Sequence, residues 1–298
     1  MDRYKKLIPK RARFFILGLF RWLPDGIMLK IQYRIKTGRK LNLKQPERYS
    51  EKVQWYKLNY RSDLMTLCAD KYAVREYLRS IGEESLCVKL YAVWENTKDV
   101  SIENLPEKFI IKTTNGSSTN IICRDKSQLE KKKLNEQLDE FLQRSAVRAG
   151  REWAYYGIKP KIIAEELLID FNDPDGGITD YKFFCFNGKV YYIAVDTDRF
   201  TDHKRNIFDR EWRDTGVRCA YPVNPSLTER PAALTEMIMK AEKISAGFPA
   251  VRVDLYFVNG KIYFGEMTFY PFSGYVKFNP DKFDFVLGEK FILPERKK

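Results

Sequence analysis

The chain has 298 residues, of which 44% are hydrophobic and 14% aromatic, so it can form one large or two smaller globular domains with a sizeable core. Its formal net charge is +13, and it contains a single histidine, His203, and five dispersed cysteines without a CxxC pair. This inventory argues against a Ser-His-Asp hydrolase and against a multi-histidine zinc site, and it predicts unpaired thiols in a reducing compartment. We therefore expect any catalysis to depend on carboxylates, lysines, arginines and a bound ion.

Most of the positive charge lies in the first 40 residues. They hold 12 Lys and Arg against 2 Asp, a net charge of +10, and the rest of the chain carries +3. The longest apolar run, residues 14–20, is too short to cross a bilayer and lacks a signal-peptide cleavage pattern, so we expect a cytoplasmic protein. We interpret residues 1–44 as a basic amphipathic arm. It either contacts an anionic membrane surface or polymer through residues 1–40, or docks on the domain with a solvated basic face, and no nucleic acid is expected.

The remaining elements predict an α+β fold. In residues 45–105, apolar residues at helical spacing extend to Gly82, and the sequence "LCVKLYAVWEN" predicts a strand. Residues 106–290 contain three predicted antiparallel hairpins, two of them with Asn-Gly turns, together with a strand "KIIAEELLI" and two helices. A polar stretch, residues 201–225, separates the second hairpin from the last helix and is a candidate cover for an acceptor site. Hairpins and helices segregated in this way are typical of α+β proteins.

The first hairpin, "FIIKTTNGSSTNIIC", combines a lysine with a Gly-Ser loop. Lys112 ends an apolar strand, and Gly116 opens the run Ser117, Ser118, Thr119. Backbone N–H groups and hydroxyls of such a loop can approach phosphate oxygens while the ammonium neutralises their charge. An ordinary hairpin with a polar turn explains the same residues.

Charged residues also occur in the next two strands. Glu165 and Glu166 follow an apolar strand and suit general acid/base chemistry, ribose hydroxyl binding or a simple exposed strand end. Lys182 lies inside the aromatic strand "DYKFFCF", where burial is costly unless the ammonium meets an anion, so a function is favoured. Arg199 adds a cation beyond the same hairpin and, taken alone, is typical of a surface residue.

The last hairpin, "VRVDLYFVNGKIYFGEMTF" at residues 251–269, places acidic residues in its most apolar strands. Asp254 and Glu266 can bind a divalent ion together only if both side chains point to one face of the sheet. A plain two-residue turn at Asn259-Gly260 would send them to opposite faces, whereas a three-residue loop or a bulge at Gly260 would put them on the same face. That register would also bring Arg252 and Thr268 to the shared surface. The metal hypothesis therefore predicts that this hairpin is not a plain two-residue one.

The order of these motifs resembles the ATP-grasp superfamily of carboxylate–amine ligases. The details "EKVQWYKL", "CADKYAVREYL", "DYKFFCFNGK" and "FGEMTF" look like its TupA-like branch, which is linked with bacterial surface-polysaccharide biosynthesis, over residues 45–290. The resemblance implies an ATP-grasp fold, in which two α+β subdomains hold ATP between antiparallel sheets. It would make residues 106–290 the nucleotide-binding and catalytic domain.

The resemblance also implies roles for the candidate residues. Lys112 and Lys182 would contact the ATP phosphates, residues 116–119 would form a flexible lid, and Glu165, Glu166 and Leu167 would line the adenine and ribose pocket. Asp254 and Glu266 would bind Mg²⁺ together with Thr268, which stands where the superfamily usually has Asn. The candidate catalytic residues are Arg252, near the phosphoryl centre, Lys182 and Arg199.

The implied reaction needs no acid/base histidine. ATP would phosphorylate a substrate carboxylate to an acyl phosphate, and an amine would then displace phosphate. For this branch, the resemblance suggests an amide between an amino acid and a uronic acid of a polysaccharide or its precursor, formed at the inner face of the bacterial plasma membrane. The alternatives that remain open are a sugar or polysaccharide kinase, a glycosyltransferase of the same pathway, and a non-catalytic, membrane-associated binding module.

Overall fold

A computed structural model of the chain describes residues 20, 22–116, 119–144, 150–173, 177–227 and 229–296. Its helices near the N-terminus are α1 (Asp25–Thr37), α2 (Tyr49–Asn59), α3 (Asp63–Ala69) and α4 (Val74–Ser80). The helical spacing predicted between residues 47 and 82 therefore belongs to three short helices, and Gly82, with φ of 72°, follows the last one. In the part of the chain that the structure describes, no helix is long and apolar enough to cross a membrane.

The small sheet contains four antiparallel strands. They are β1 (Leu90–Trp94), β2 (Phe109–Thr113), β3 (Asn120–Cys123) and β4 (Ile162–Glu166), in the order β1-β4-β2-β3. Helix α5 (Lys131–Arg144) covers one face, where Leu134 and Leu138 join Phe109 and Ile111 in an apolar cluster. The predicted domain boundary near residue 105 stays a prediction, but β1 and β4, which lie on either side of it, are paired in one sheet.

The large sheet carries the second and third predicted hairpins. Its strands are β5 (Asp180–Phe186), β6 (Lys189–Thr197) and β7 (Lys204–Asp209), followed after β8 (Arg218–Cys219) and helix α6 (Leu234–Ser245) by β9 (Ala250–Val258) and β10 (Lys261–Thr268). The order is β10-β9-β5-β6-β7, and every neighbouring pair is antiparallel. The chain ends with β11 (Phe278–Asn279), which pairs with β8, and helix α7 (Phe283–Lys290).

The two faces of the large sheet differ in polarity because side chains alternate along each strand. Phe183, Val195 and Val253 lie on one face, in the main apolar core that also contains α6. The charged side chains at the centre of the sheet project from the other face: Asp180, Lys182, Asp196, Arg205, Arg252 and Asp254. The polar stretch predicted at residues 201–225 is more ordered than the sequence indicated, because β7 within it forms one edge of the sheet.

Candidate active site

A bulge in the last hairpin brings its two acidic residues to one face. Strands β9 and β10 pair from Lys261 opposite Val258 to Phe264 opposite Leu255, and the pairing then shifts so that Glu266 lies opposite Asp254. Thr268 accordingly lies opposite Arg252. The prediction that these four residues share a surface is confirmed.

The position of the bulge differs from the predicted one. The turn at Asn259-Gly260 is a two-residue turn in which both residues have positive φ, 50° and 77°, so the interruption does not occur there. It occurs at Gly265, which has no partner on β9. A Cβ atom at Gly265 would lie 3.0 Å from the Asp254 carbonyl oxygen and 3.1 Å from the Tyr256 ring. The glycine is therefore required by the close approach of the neighbouring strand.

Asp254 is the centre of a buried charge network. Arg252 donates from Nε and Nη2 to its two carboxylate oxygens at 2.6 and 2.7 Å, and Lys182 donates from Nζ to Oδ2 at 2.8 Å. Lys182 also donates to Asp180 Oδ2 at 2.5 Å, and Arg199 Nη1 lies 2.7 Å from the same oxygen. The network thus contains all three candidate catalytic residues. Arg199 is part of it rather than an isolated surface side chain.

The two aspartates of this network have opposite electrostatic environments. Burial raises the pKa of Asp254, but Arg252 and Lys182 together outweigh burial and hold that pKa below its usual value. Burial dominates at Asp180 and raises its pKa, because Lys182 and Arg199 compensate only in part and Asp254 adds a negative charge nearby. Asp180 Oδ1 is also buried without a hydrogen-bond partner. Asp254 is thus the aspartate that stays ionised most readily.

The metal hypothesis can be tested on this donor set. Asp254 is 1% exposed and Glu266 36% exposed, and Arg252 Nη2 lies 3.4 Å from Glu266 Oε1 and 3.1 Å from Thr268 Oγ1. Among the described residues, no three His, Cys, Asp or Glu side chains are grouped as a metal site. Mg²⁺ commonly takes one or two carboxylates and completes its shell with phosphate oxygens and water. The chemistry of Asp254, Glu266 and the Thr268 hydroxyl suits such a shared ion, which they would hold. Asp254 would then share its oxygens between the ion and its present contacts to Arg252 and Lys182.

A second group of charges lies on the small sheet. Lys112 Nζ is 2.5 Å from Glu165 Oε2, and Arg75 Nη2 is 2.6 Å from Glu165 Oε1. A pocket between the sheets is lined by these residues and by parts of both sheets: Lys71, Val74, Arg75, Cys87, Val88, Lys112, Glu165, Phe264 and Gly265. Lys112 and Glu165, predicted as nucleotide contacts, therefore face the bulge of the large sheet.

Lys71, for which the sequence predicted no role, also lines this pocket. It donates from Nζ to the Gly116 carbonyl at 2.5 Å; burial lowers the pKa of its ammonium, and the nearby Glu266 carboxylate opposes that shift. The preceding residue, Asp70, fixes the backbone at Lys71. Its carboxylate accepts hydrogen bonds from the Thr114 hydroxyl and from the backbone N–H groups of residues 72 and 73. Both Asp70 and Lys71 belong to the motif "CADKYAVREYL", in the turn between α3 and α4.

The other predicted nucleotide contacts are placed as follows. Glu166 projects from the face of β4 opposite to that of Glu165, as strand alternation requires, so their carboxylates do not line one pocket. Leu167 directly follows the strand and is half-buried. In the predicted lid, Gly116 is exposed with φ of 75° and Thr119 is buried, whereas Ser117 and Ser118 lie outside the described residues. The nucleotide-binding roles of Glu166, Leu167 and residues 116–119 stay predictions.

The polar face of the large sheet continues beyond Asp180 to β6 and β7. Arg205 donates from Nε and Nη2 to Asp196 at 2.5 and 2.6 Å, and His203 Nε2 lies 3.3 Å from Asp196 Oδ2. The His203 ring stacks on Tyr221 with centroids 3.5 Å apart. In the stretch considered as an acceptor cover, His203 and Arg205 thus reach the polar face. Arg213 is instead exposed and pairs with Asp209.

Comparison with known proteins identifies the family. The model of the TupA-like ATP-grasp family matches residues 51–292, more than half of the chain. The chain belongs to this family. The match confirms the predicted family, the α+β ATP-grasp fold class and an ATP-grasp enzyme as the class of protein. No curated protein matches the sequence.

Solved structures similar to the TupA-like chain are ATP-grasp ligases of low sequence identity. D-alanine–D-alanine ligase from Bacillus anthracis is 19% identical, with a TM-score of 0.40 over 68% of this chain and 57% of that one. The same enzyme from Helicobacter pylori is 16% identical, with a TM-score of 0.43 over 82% and 69% of the two chains. The ATP-grasp ligase PsnB, solved with its minimal precursor, Mg and ADP, is 10% identical, with a TM-score of 0.38 over 74% and 57%. The chain thus spans little more than half the length of two of these three enzymes.

Proposed function

We propose that the protein is an ATP- and Mg²⁺-dependent carboxylate–amine ligase that acts through an acyl phosphate. The observation that carries the proposal is the Gly265 bulge, which puts the carboxylates of Asp254 and Glu266 beside Arg252 on one face. Lys182 lies on the adjacent strand within hydrogen-bonding distance of Asp254. Hard oxygen ligands for an ion, next to fixed cations, are the groups that phosphoryl transfer needs.

In the proposed reaction, a carboxylate oxygen of one substrate attacks the γ-phosphorus of ATP and ADP leaves. The amine nitrogen of the second substrate then attacks the acyl carbon, the bond to phosphate breaks, and the amine loses a proton to solvent. Lys71, Lys112 and Lys182 bind phosphate oxygens, and Arg252 stabilises the negative charge that develops at the transferred phosphoryl group. Asp254 and Glu266 would hold Mg²⁺, which would supply neutralisation of phosphate charge.

We further propose that the substrates are an amino acid and a uronic-acid residue of a surface polysaccharide or its precursor. The resemblance of "EKVQWYKL" and "FGEMTF" to the TupA-like branch supports this class. The polar face offers one partly exposed group for this class, because the Arg199 side chain is 32% exposed beside Asp180, whereas Arg205 is buried against Asp196. Both substrates carry a carboxylate, a group that a guanidinium binds well.

The test is release of ADP and phosphate with Mg-ATP across a matrix of amino acids and uronic-acid saccharides. Release that requires both substrates, with an amide in the product by mass spectrometry, would support the ligase. Glu266→Ala should abolish it, whereas Glu211→Ala, a change at an exposed glutamate on a surface turn, should leave it intact. ADP release with a neutral sugar and no amine would instead indicate a kinase. No turnover and no calorimetric ATP binding would contradict the nucleotide site itself.

A further inference from the structure

The outward face of α1 is unusually apolar for a surface helix. Ile27, Ile31 and Ile35 recur every four residues and are 50%, 45% and 61% exposed. Lys30 and Arg34 lie between them on the same exposed face. A helix on the surface of a globular protein normally presents charged or polar residues on its outer side. In α1, isoleucines form the centre of that side.

The inner face of α1 is fixed on the domain, so the isoleucines cannot turn inward. Leu29 and Tyr33 are fully buried, and the Tyr33 hydroxyl lies 2.8 Å from Ser50 Oγ at the start of α2. Gln32 accepts a hydrogen bond from the Tyr275 hydroxyl at 2.7 Å. These contacts determine the rotation of the helix about its axis, and the apolar stripe points away from the rest of the domain.

The exposed hydrophobic side chains are concentrated around this helix. Trp22, two residues before Pro24, is 76% exposed, and Phe20 is 42% exposed. Half of the large hydrophobic side chains that are exposed in the described part of the chain lie between residues 20 and 35. Single exposed hydrophobic residues are common, but a contiguous group marks an interaction surface.

The charges around the stripe indicate the kind of partner. The single acidic residue of α1, Asp25, is paired with Arg151 at 2.6 Å, so the outward face carries cations without counter-charges of its own. The first 40 residues together carry a net charge of +10. A second copy of the same face would bring Lys30 and Arg34 close to identical cations. A nucleic acid would pair with these cations but leave the isoleucines without partners.

We propose that the outward face of α1 docks on an anionic phospholipid surface, with Ile27, Ile31 and Ile35 at the acyl-chain boundary and Lys30 and Arg34 among the headgroup phosphates. An anionic bilayer is the surface that satisfies both sets of side chains at once. Trp22 lies at the N-terminal end of the stripe, where the amphipathic indole ring suits the interface. The docking is independent of the proposed catalytic reaction, because no residue of the charge network takes part in it.

The test is co-sedimentation of the full chain with vesicles of phosphatidylcholine alone or containing phosphatidylglycerol. We expect binding to the anionic vesicles that weakens with salt. Replacement of Ile27, Ile31 and Ile35 by serine should lower the partition coefficient about tenfold or more. Lys30→Gln with Arg34→Gln should lower it about fivefold per charge on anionic vesicles.

Two controls separate docking from general stickiness or unfolding. Ile292→Ser changes an isoleucine that is even more exposed, at 68%, near the other end of the chain, and this variant should bind vesicles as the unaltered protein does. A blue shift of tryptophan emission on vesicle binding should disappear in Trp22→Phe. Because the three isoleucines are exposed, their replacement should leave the melting temperature nearly unchanged.

Vesicle binding that survives the triple serine replacement would overturn the proposal, as would equal loss in Ile292→Ser or equal binding to neutral vesicles. An oligomer in solution that dissociates on the triple replacement would assign the stripe to a second copy instead.

Discussion

Replacing Lys57 by methionine should make the stability of the protein depend differently on pH. The Lys57 ammonium is buried at the end of α2 and donates to the carbonyls of Gly150 and Ser273 and to the Ser273 hydroxyl, each at 2.9 Å. Ser273 belongs to the short segment Pro271–Gly274, which begins shortly after β10, the strand that carries Glu266 and Thr268. Phe272 and Ser273 in this segment have φ of 53° and 56°, a left-handed conformation that costs on the order of 1–3 kcal/mol per non-glycine residue.

The magnitude follows from the buried charge. Burial lowers the pKa of Lys57 from 10.5 to about 7, and Glu152 compensates only in part. Below pH 7 the lysine is protonated in both the folded and the unfolded chain, so the full cost of burying the charge is present. Between pH 7 and 10.5 the unfolded chain holds more protons, and the free energy of unfolding therefore rises with pH. The slope is about 1.4 kcal/mol per pH unit, and the whole interval corresponds to on the order of 5 kcal/mol.

The assay is guanidinium unfolding of the unaltered chain and of Lys57→Met at several pH values between 6 and 10. The difference in unfolding free energy should grow in favour of lysine as the pH rises above 7, because other titrating groups cancel between the two proteins. Lys133→Met, at an exposed lysine on α5, should show no such trend. A difference that is flat between pH 7 and 10, or that falls, would refute the account of Lys57 as a buried, destabilised ammonium.

Three further changes probe the active site. In Gly265→Val, the new Cβ would lie 3.0 Å from the Asp254 carbonyl oxygen and its methyl groups would crowd the strand further. The resulting displacement of Glu266 should lower ATP turnover in steady-state kinetics about tenfold or more. Asp254→Asn leaves the buried Lys182 without one of its counter-ions and should lower the free energy of unfolding by about 3–5 kcal/mol in denaturant titrations. Glu266→Gln changes a more exposed carboxylate and should alter that free energy by less than about 1 kcal/mol. Lys71→Met should weaken ATP binding about tenfold by calorimetry, since it removes a charge-assisted contact to phosphate; unchanged affinity would contradict its place in the pocket.

The hairpins and their faces were predictable because their signals are local. Asn187-Gly188 and Asn259-Gly260 have the composition of two-residue turns, and both form them. The requirement that Asp254 and Glu266 share a face correctly predicted an interruption of the pairing, although its place did not follow. As far as alternation is concerned, any residue of β10 between the turn and Glu266 could hold the bulge. Gly265 holds it because its backbone approaches the Asp254 carbonyl, a contact that exists only after the strands have paired.

Contacts between distant segments could not be derived from local patterns. Lys57 meets the carbonyl of Ser273, more than two hundred residues away, and Lys71 meets Gly116 across the pocket. In the sequence both lysines look like ordinary charged residues of helical segments. Their environments depend on how α2 and the turn before α4 pack against the rest of the fold, which the spacing of apolar residues within each helix does not specify.

Polar residues two positions apart in apolar strands are partly predictable: their shared face follows from the local sequence, but their partners on other strands do not. Asp180 and Lys182, Arg252 and Asp254, and Glu266 and Thr268 are three such pairs on three adjacent strands. Each pair must point to one face, and a lysine or aspartate at that depth is too costly unless the neighbouring strand supplies the opposite charge. The pattern therefore contains information on strand order, because β5 and β9 are neighbours that neutralise each other through Lys182 and Asp254. Asp180, the first residue of β5, completes this alternation. Because this alternation runs along every strand of the sheet, inserting or deleting one residue within β5 or β9 would turn the charged side chains that follow it to the opposite face. The groups of the site would then be separated although the charged residues themselves are unchanged.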